Sequence, residues 1–197
     1  MFYSNRDGQW RPWIIGLDGG GLRKLADPPG GAVYTLVSPK GDAIVFISDS
    51  GQGVFTAPFG TTASVVTELP NTAVAGKYFS PSDWSPDGAQ LAGNFTAASG
   101  RPAGVGVYDL GKKTATILST DETYATAWLP DNRRVVYFRK GGHELVVLDT
   151  MSRTRTVVDV RLPGPSITDM FTISPDGRAI YYGAVRAEAD IWIVERR

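Results

Sequence analysis

The chain has 197 residues, with 20 basic and 20 acidic side chains, one histidine and no cysteine. Zero net charge argues against a protein built to coat nucleic acid or an anionic membrane, which need a basic excess. The absence of cysteine excludes disulfides, thiolate zinc sites and cysteine nucleophiles, and one histidine leaves no multi-histidine metal site.

From the N-terminus, Phe2–Ser4, Trp13–Leu17 and Leu22–Leu25 are expected strands. Asp18 closes the middle one, and Gly19-Gly20-Gly21 forms the hairpin that follows. No basic region leading into an apolar stretch opens the chain, so no signal peptide is read. The longest apolar runs, such as Ala43–Ile47 and Val135–Phe138, fall far short of the ~20 residues a membrane helix needs.

A repeating unit then takes over. Val37-Ser38-Pro39-Lys40-Gly41 returns as Trp84-Ser85-Pro86-Asp87-Gly88, Trp128-Leu129-Pro130-Asp131-Asn132 and Ile173-Ser174-Pro175-Asp176-Gly177. Its prolines stand at 39, 86, 130 and 175, in steps of 47, 44 and 45 residues, the period of propeller blades. Proline presets the first corner of a tight turn, Asp tolerates the second, and Gly or Asn132 takes the left-handed position. A β-rich run follows each turn: Ala43–Ser48, Leu91–Phe95, Val135–Phe138 and Ala179–Gly183. A second run comes after a loop: Val54–Ala57, Val105–Tyr108, Leu145–Leu148 and Ile191–Val194, three of them closed by Asp109, Asp149 and Glu195. A further strand follows in Val65–Glu68, Ala115–Leu118 and Arg155–Val158. With the apolar residues before each proline, this makes four strands per unit. No window sustains the i, i+3, i+4 apolar pattern of a helix. The expectation is an all-β chain of antiparallel four-stranded blades, near 2–25, 33–69, 79–118, 124–158 and 168–195, in one domain over 1–197. Three units are complete, and the first and last have three strands each, so a partial or open propeller is expected.

No catalytic set emerges: there is no Gly-x-Ser-x-Gly elbow and no phosphate-binding Gly-x-x-x-x-Gly-Lys-Ser/Thr. Gly19-Gly20-Gly21 before Arg23 and Lys24 lacks the following helix that a phosphate cradle uses. Asp87, Asp131 and Asp176 are accounted for as turn residues. No metal or cofactor is called. Trp84, Trp128 and Trp192 are read as inter-sheet core. Recognition on a rigid scaffold resides in its loops, and the candidate contacts are Lys77, Tyr78 and Phe79 in the expected loop Asn71–Ser82, with Tyr78 foremost. Trp10 and Trp13, flanking Gln9–Pro12, and His143 in the loop Lys140–Glu144 complete the set, since Trp is favoured at binding hot spots.

The Ser-Pro-Asp-Gly turn, the apolar strand after it and Asp190-Ile191-Trp192-Ile193-Val194 resemble the TolB-like, WD40-like (PD40) β-propeller repeat over residues 2–195, most closely at Ser174–Glu195. Leu129 and Asn132 depart from the pattern. In that family such blades occur in periplasmic Tol–Pal proteins, in sensor regions fused to bacterial serine/threonine kinases or winged-helix regulators, and as the gating propeller of prolyl-oligopeptidase-type peptidases. The resemblance implies a non-catalytic recognition scaffold with a protein partner, in an extracytoplasmic compartment; the alternative is a gating propeller whose hydrolase domain lies elsewhere. Because the family's closed rings usually carry six or more blades, the chain is expected to be the C-terminal part of a larger propeller, or to be completed by another chain or a second copy.

Overall fold

The structure, a computed structural model, describes residues 1–28, 30–60, 66–139, 144–160 and 167–184. Regular structure there is entirely β-strand, in five antiparallel sheets that each follow chain order. The first holds β1 (Phe2–Ser4), β2 (Arg11–Ile14) and β3 (Arg23–Lys24). The second holds β4 (Ala32–Val37), β5 (Ala43–Ser48), β6 (Val54–Pro58) and β7 (Thr67–Glu68). The third is five-stranded: β8 (Ala73–Val74), β9 (Lys77–Trp84), β10 (Gln90–Ala97), β11 (Pro102–Asp109) and β12 (Thr114–Ser119). The fourth holds β13 (Thr126–Trp128), β14 (Arg134–Phe138), β15 (Glu144–Asp149) and β16 (Arg155–Asp159), and the fifth pairs β17 (Ile167–Ile173) with β18 (Ile180–Ala184). The expected strand Ile191–Val194, with Trp192 and Glu195, lies outside the described residues.

The recurring turn is built as its residue types require. In three units the glycine N–H donates to the serine carbonyl, at 2.9 Å for Gly41 and 2.8 Å for Gly88 and Gly177. The glycines have φ of 67°, 78° and 71°, and Asn132 stands in with 57°. Serine then fastens the turn to the next strand: Ser85 Oγ donates to Asp87 Oδ1 at 2.6 Å and accepts the Gln90 N–H at 2.8 Å. Ser174 repeats this with Asp176 and Ala179. In the second sheet Lys40 occupies the usual Asp place, and Ser38 Oγ donates instead to Asp42, just past the glycine. Where Leu129 replaces serine, Asp131 itself accepts the N–H groups of Arg133 and Arg134. The acidic strand ends work the same way: Asp18, Asp109 and Asp149 each accept a backbone N–H from the hairpin that follows. Gly177→Val should cost about 1–2 kcal/mol through the left-handed position alone, and its Cβ would meet Pro130 Cδ at 3.2 Å. Urea unfolding checks this, with Gly177→Asn expected to recover most of the loss.

The second, third and fourth sheets bury both faces, which is why their middle strands are continuous apolar runs. Along β5, Ile44 and Phe46 pack toward the first sheet with Leu25 and Ile14, while Val45 and Ile47 pack toward the third with Phe79, Leu91 and Tyr108. Along β14, Val135 and Tyr137 face the third sheet with Val105 and Val107. Val136 and Phe138 face the fifth with Phe171 and Ile173. Four cores thus lie between five sheets in a row.

Two expectations are corrected. β2 begins at Arg11 and ends at Ile14, and Leu17, expected inside this strand, is fully exposed. The segment Asn71–Ser82, expected as a loop, is a hairpin running into the inner strand β9; Ala75 and Gly76 form its tip with φ of 50° and 74°, the paired left-handed residues of a type I′ turn. The third sheet also curls strongly. Asn71, just before β8 at one margin, is tied to the opposite margin by the Ala115 N–H and by its own amide to the Lys113 carbonyl. Register shifts at Ala92/Gly93, Phe95/Thr96 and Val105/Gly106 accompany the curl.

Candidate binding surface

Antiparallel alternation gives each sheet two ends. The Ser-Pro-Asp-Gly turns and the hairpins after Asp109 and Asp149 share one end. The loops joining second to third strands, and the links between sheets, share the other. Inner strands begin at this second end, so Trp10 in the β1–β2 connection and Lys77 and Tyr78 at the start of β9 belong to it.

The candidate contacts separate once placed. Phe79 is 1% exposed, packed with Phe95 (ring centroids 5.3 Å apart) and Tyr108. It is core because β9 continues the strand alternation where a loop was expected. Tyr78 is partly buried, opposite Ala73 and Thr96. Lys77 is partly buried and its ammonium donates to the Ala103 carbonyl at 2.9 Å. Trp13 is a β2 residue, partly buried, with the Arg6 guanidinium 4.9 Å and the Lys24 ammonium 5.7 Å from its ring centroid. Trp10 remains open at 36% exposure and meets Tyr3 edge-on at 5.5 Å. His143 lies outside the described residues. Trp10 therefore joins Tyr3 and Tyr34, residues the sequence did not single out, rather than Tyr78 on the third sheet.

Buried polar groups are used to join sheets. Asp83 in β9 accepts the Trp84 N–H at 2.8 Å and, across the sheet boundary, the Trp128 N–H at 2.7 Å. Burial pushes its carboxyl above the usual carboxylate range. Asp121, in the link between the third and fourth sheets, accepts the Tyr137 hydroxyl at 2.6 Å and faces Arg155 at 3.1 Å. Burial opposes its charge, but the Tyr137 and Arg155 hydrogen bonds and the Arg139 charge hold its carboxyl below the usual range. Burial, reinforced by Asp121, pushes the Tyr137 phenol up to about 12. Arg11 is likewise buried, on Asp27 and the Trp10 carbonyl. These arrangements pair their members with one another. Among the described residues no three His, Asp or Glu side chains converge as metal ligands. Tyr137→Phe should cost about 2 kcal/mol, the scale of a hydrogen bond to a charged group, read as a lower urea midpoint.

The turns carry a pH signature. Asp42, Asp87 and Asp176 are held below the usual range, first by the serine hydroxyl that donates to each. A lowered folded value gives stability that is present above the unfolded value and lost as the pH falls through the folded one. Asp83 has the opposite sign, its contribution being lost as the pH rises through its raised value. The three turns outnumber it, so the thermal midpoint should fall as the pH drops below about 4. Ser85→Ala with Ser174→Ala should flatten that fall.

No family model matches this chain, and no curated protein matches it in sequence. Solved structures do. TolB from Acinetobacter baumannii superposes with a TM-score of 0.69 at 17% identity, over 88% of this chain and 42% of that one. A putative TolB from Agrobacterium tumefaciens gives 0.67 at 20% identity, over 87% and 60%. A chain of a nidogen/laminin complex gives 0.67 at 13%, over 89% and 64%. Meandering antiparallel sheets packed face to face, on these likenesses, define a β-propeller fold. Its repeat and its neighbours are TolB-like, and the chain spans 42% and 60% of the two TolB structures.

Proposed function

We propose that this chain is a non-catalytic recognition module that holds a protein or ligand partner at the loop end of its sheets, as the sensor or scaffold portion of a bacterial protein. One observation carries the reading: the buried polar groups described join sheets and the turn carboxylates close turns, while Trp10 stands open at the end of the sheets where the connections vary. TolB-like neighbours, and a neighbour solved as a nidogen/laminin complex, support protein binding as the use of such a scaffold. The mechanism is display, in which four inter-sheet cores keep the loop end rigid and a partner pays little ordering cost on docking. Purified protein should not hydrolyse peptide or ester substrates. Turnover at enzyme-like rates, or a Gly-x-Ser-x-Gly domain encoded beside this segment, would favour the gating propeller of a peptidase instead.

A further inference from the structure

The outer rim of the first four sheets is formed by their last strands, β3, β7, β12 and β16. The chain passes from each of these to the next sheet, so no further strand of the fold belongs beside them. β3 and β7 have two residues each. The margin of β12 is already taken, because the Asn71 carbonyl accepts the Ala115 N–H and the Asn71 amide donates to the Lys113 carbonyl. β16 has neither safeguard. All five of its residues are exposed, Val157 at 51% and Val158 at 37%. The run Arg155-Thr156-Val157-Val158-Asp159 has no proline and no central charge to blunt its edge.

Two hydrogen bonds set the phase of that edge. The Glu144 carbonyl accepts the Arg139 N–H at 3.0 Å, so Glu144 turns its main chain toward β14. The Asp149 N–H donates to the Thr154 carbonyl at 2.9 Å. Between these limits Asp159, Val157 and Arg155 stand opposite Glu144, Val146 and Leu148 as non-hydrogen-bonded pairs. Each of the three therefore turns its N–H and C=O outward, and their side chains share one face. Asp159 is also badly placed for its charge. It stands opposite Glu144, and like charges directly opposite each other are destabilising. Glu144 is met by Arg139 at 2.6 Å, whereas Asp159 makes no ion pair among the described residues.

We infer that β16 is a dimerisation edge, pairing antiparallel with β16 of a second copy of this chain about a two-fold axis at Val157. The strand is self-complementary about that residue. Val157 meets Val157, and Arg155 of each copy meets Asp159 of the other. These are the same positions whose main chain faces outward, so one register satisfies hydrogen bonds and charges together. Arg155 gives Nη1 to Asp121 of its own chain, and with its side chain 46% exposed it keeps its other nitrogens for the second copy. The carboxylate left facing Glu144 thereby gains a cation. An isologous pairing of this kind closes on itself and stops at two copies. The inference goes beyond the recognition reading and does not rest on it.

The test uses the full chain, which has no cysteine of its own. Sedimentation over a concentration series should show a monomer–dimer equilibrium. Asp159→Arg should weaken it tenfold or more by setting Arg against Arg155. The same variant should leave the monomer's thermal midpoint unchanged or raised, because the like-charge pair with Glu144 is gone, so lost dimerisation would not mean lost folding. Val157→Pro should weaken it as much, since the N–H it removes faces the free edge rather than β15. Val157→Cys should cross-link two chains under mild oxidation, because a hydrogen-bonded antiparallel pair sets its Cα atoms ~5.5 Å apart, within disulfide reach. Thr156→Cys, which stands opposite Val158 of the other copy in this register, should not. A chain that is monomeric at every concentration overturns the inference, as does a dimer indifferent to Asp159→Arg and Val157→Pro, or one that cross-links at 156 as readily as at 157. A monomer that instead binds a capped Thr-Val-Thr-Val peptide would assign the edge to a foreign strand and overturn it too. The recognition reading is untouched by these outcomes, because it falls to enzymatic turnover instead.

Discussion

Gly106→Ala is expected to destabilise the chain by about 3 kcal/mol or more, at the upper end of overpacking costs. Gly106 lies in the middle of β11, where the curled third sheet brings backbone against backbone. A Cβ there would stand 2.0 Å from the Thr116 carbonyl oxygen and 2.7 Å from Phe95 Cε2. The first neighbour is main chain of the adjoining strand and cannot rotate away, so the sheet must open or flatten. Gly93 in β10 has the same relation to Ser80, at 2.1 Å from its carbonyl oxygen. Glycine inside a strand marks such close approach. Gly111 is the control: only Asp109 Oδ1, at 3.5 Å, approaches its Cβ position, so Gly111→Ala should stay within about 0.5 kcal/mol. Urea unfolding of the three variants measures this, and a Gly106→Ala protein as stable as Gly111→Ala would mean that the third sheet is not curled as described.

Trp128→Ala should cost about 3–5 kcal/mol. The indole is 4% exposed and fills the core between the third and fourth sheets with Val105, Val107, Val135 and Leu148. Its N–H has no hydrogen-bond partner among the described residues, so the loss is one of apolar burial and cavity formation. Trp84 holds the same repeat position but is only partly buried, and its N–H donates to the Gly88 carbonyl at 3.1 Å. Trp84→Ala should therefore cost less than Trp128→Ala in the same denaturation series. The reverse order would show that the repeat's aromatic does more for its own turn than for the core.

Much of this fold was legible because it rests on local rules. Left-handed φ at Gly41, Gly88, Asn132 and Gly177, and the capping by Asp18, Asp109 and Asp149, follow from residue type within a few positions. The two-sided burial of β5 and β14 follows from unbroken apolar runs. What escaped was set by distant neighbours. Pro81 and the polar residues around it made Asn71–Ser82 look like a loop, yet β8 covers only the start of β9, and Pro81 faces a margin where no donor is needed. The pairing of Asp121 with Tyr137 and Arg155 spans 16 and 34 residues, beyond any motif. Nothing in Ala32–Val37 announces that Tyr34 turns left-handed or that its ring lies 6.1 Å from that of Tyr3. Trp10 was legible as an anchor; its companions were not.

The four cores also set where the molecule opens first. No sheet can leave without exposing a face of its neighbour, so an opening spreads along the row as it does in a repeat array. The third sheet contributes to two cores and is fastened at both margins, whereas the first shares only one core and ends in strands of two to four residues. Amide hydrogens of β10 and β11 should therefore exchange with solvent only in the rarest, largest fluctuations, and those of β1 to β3 in frequent small ones.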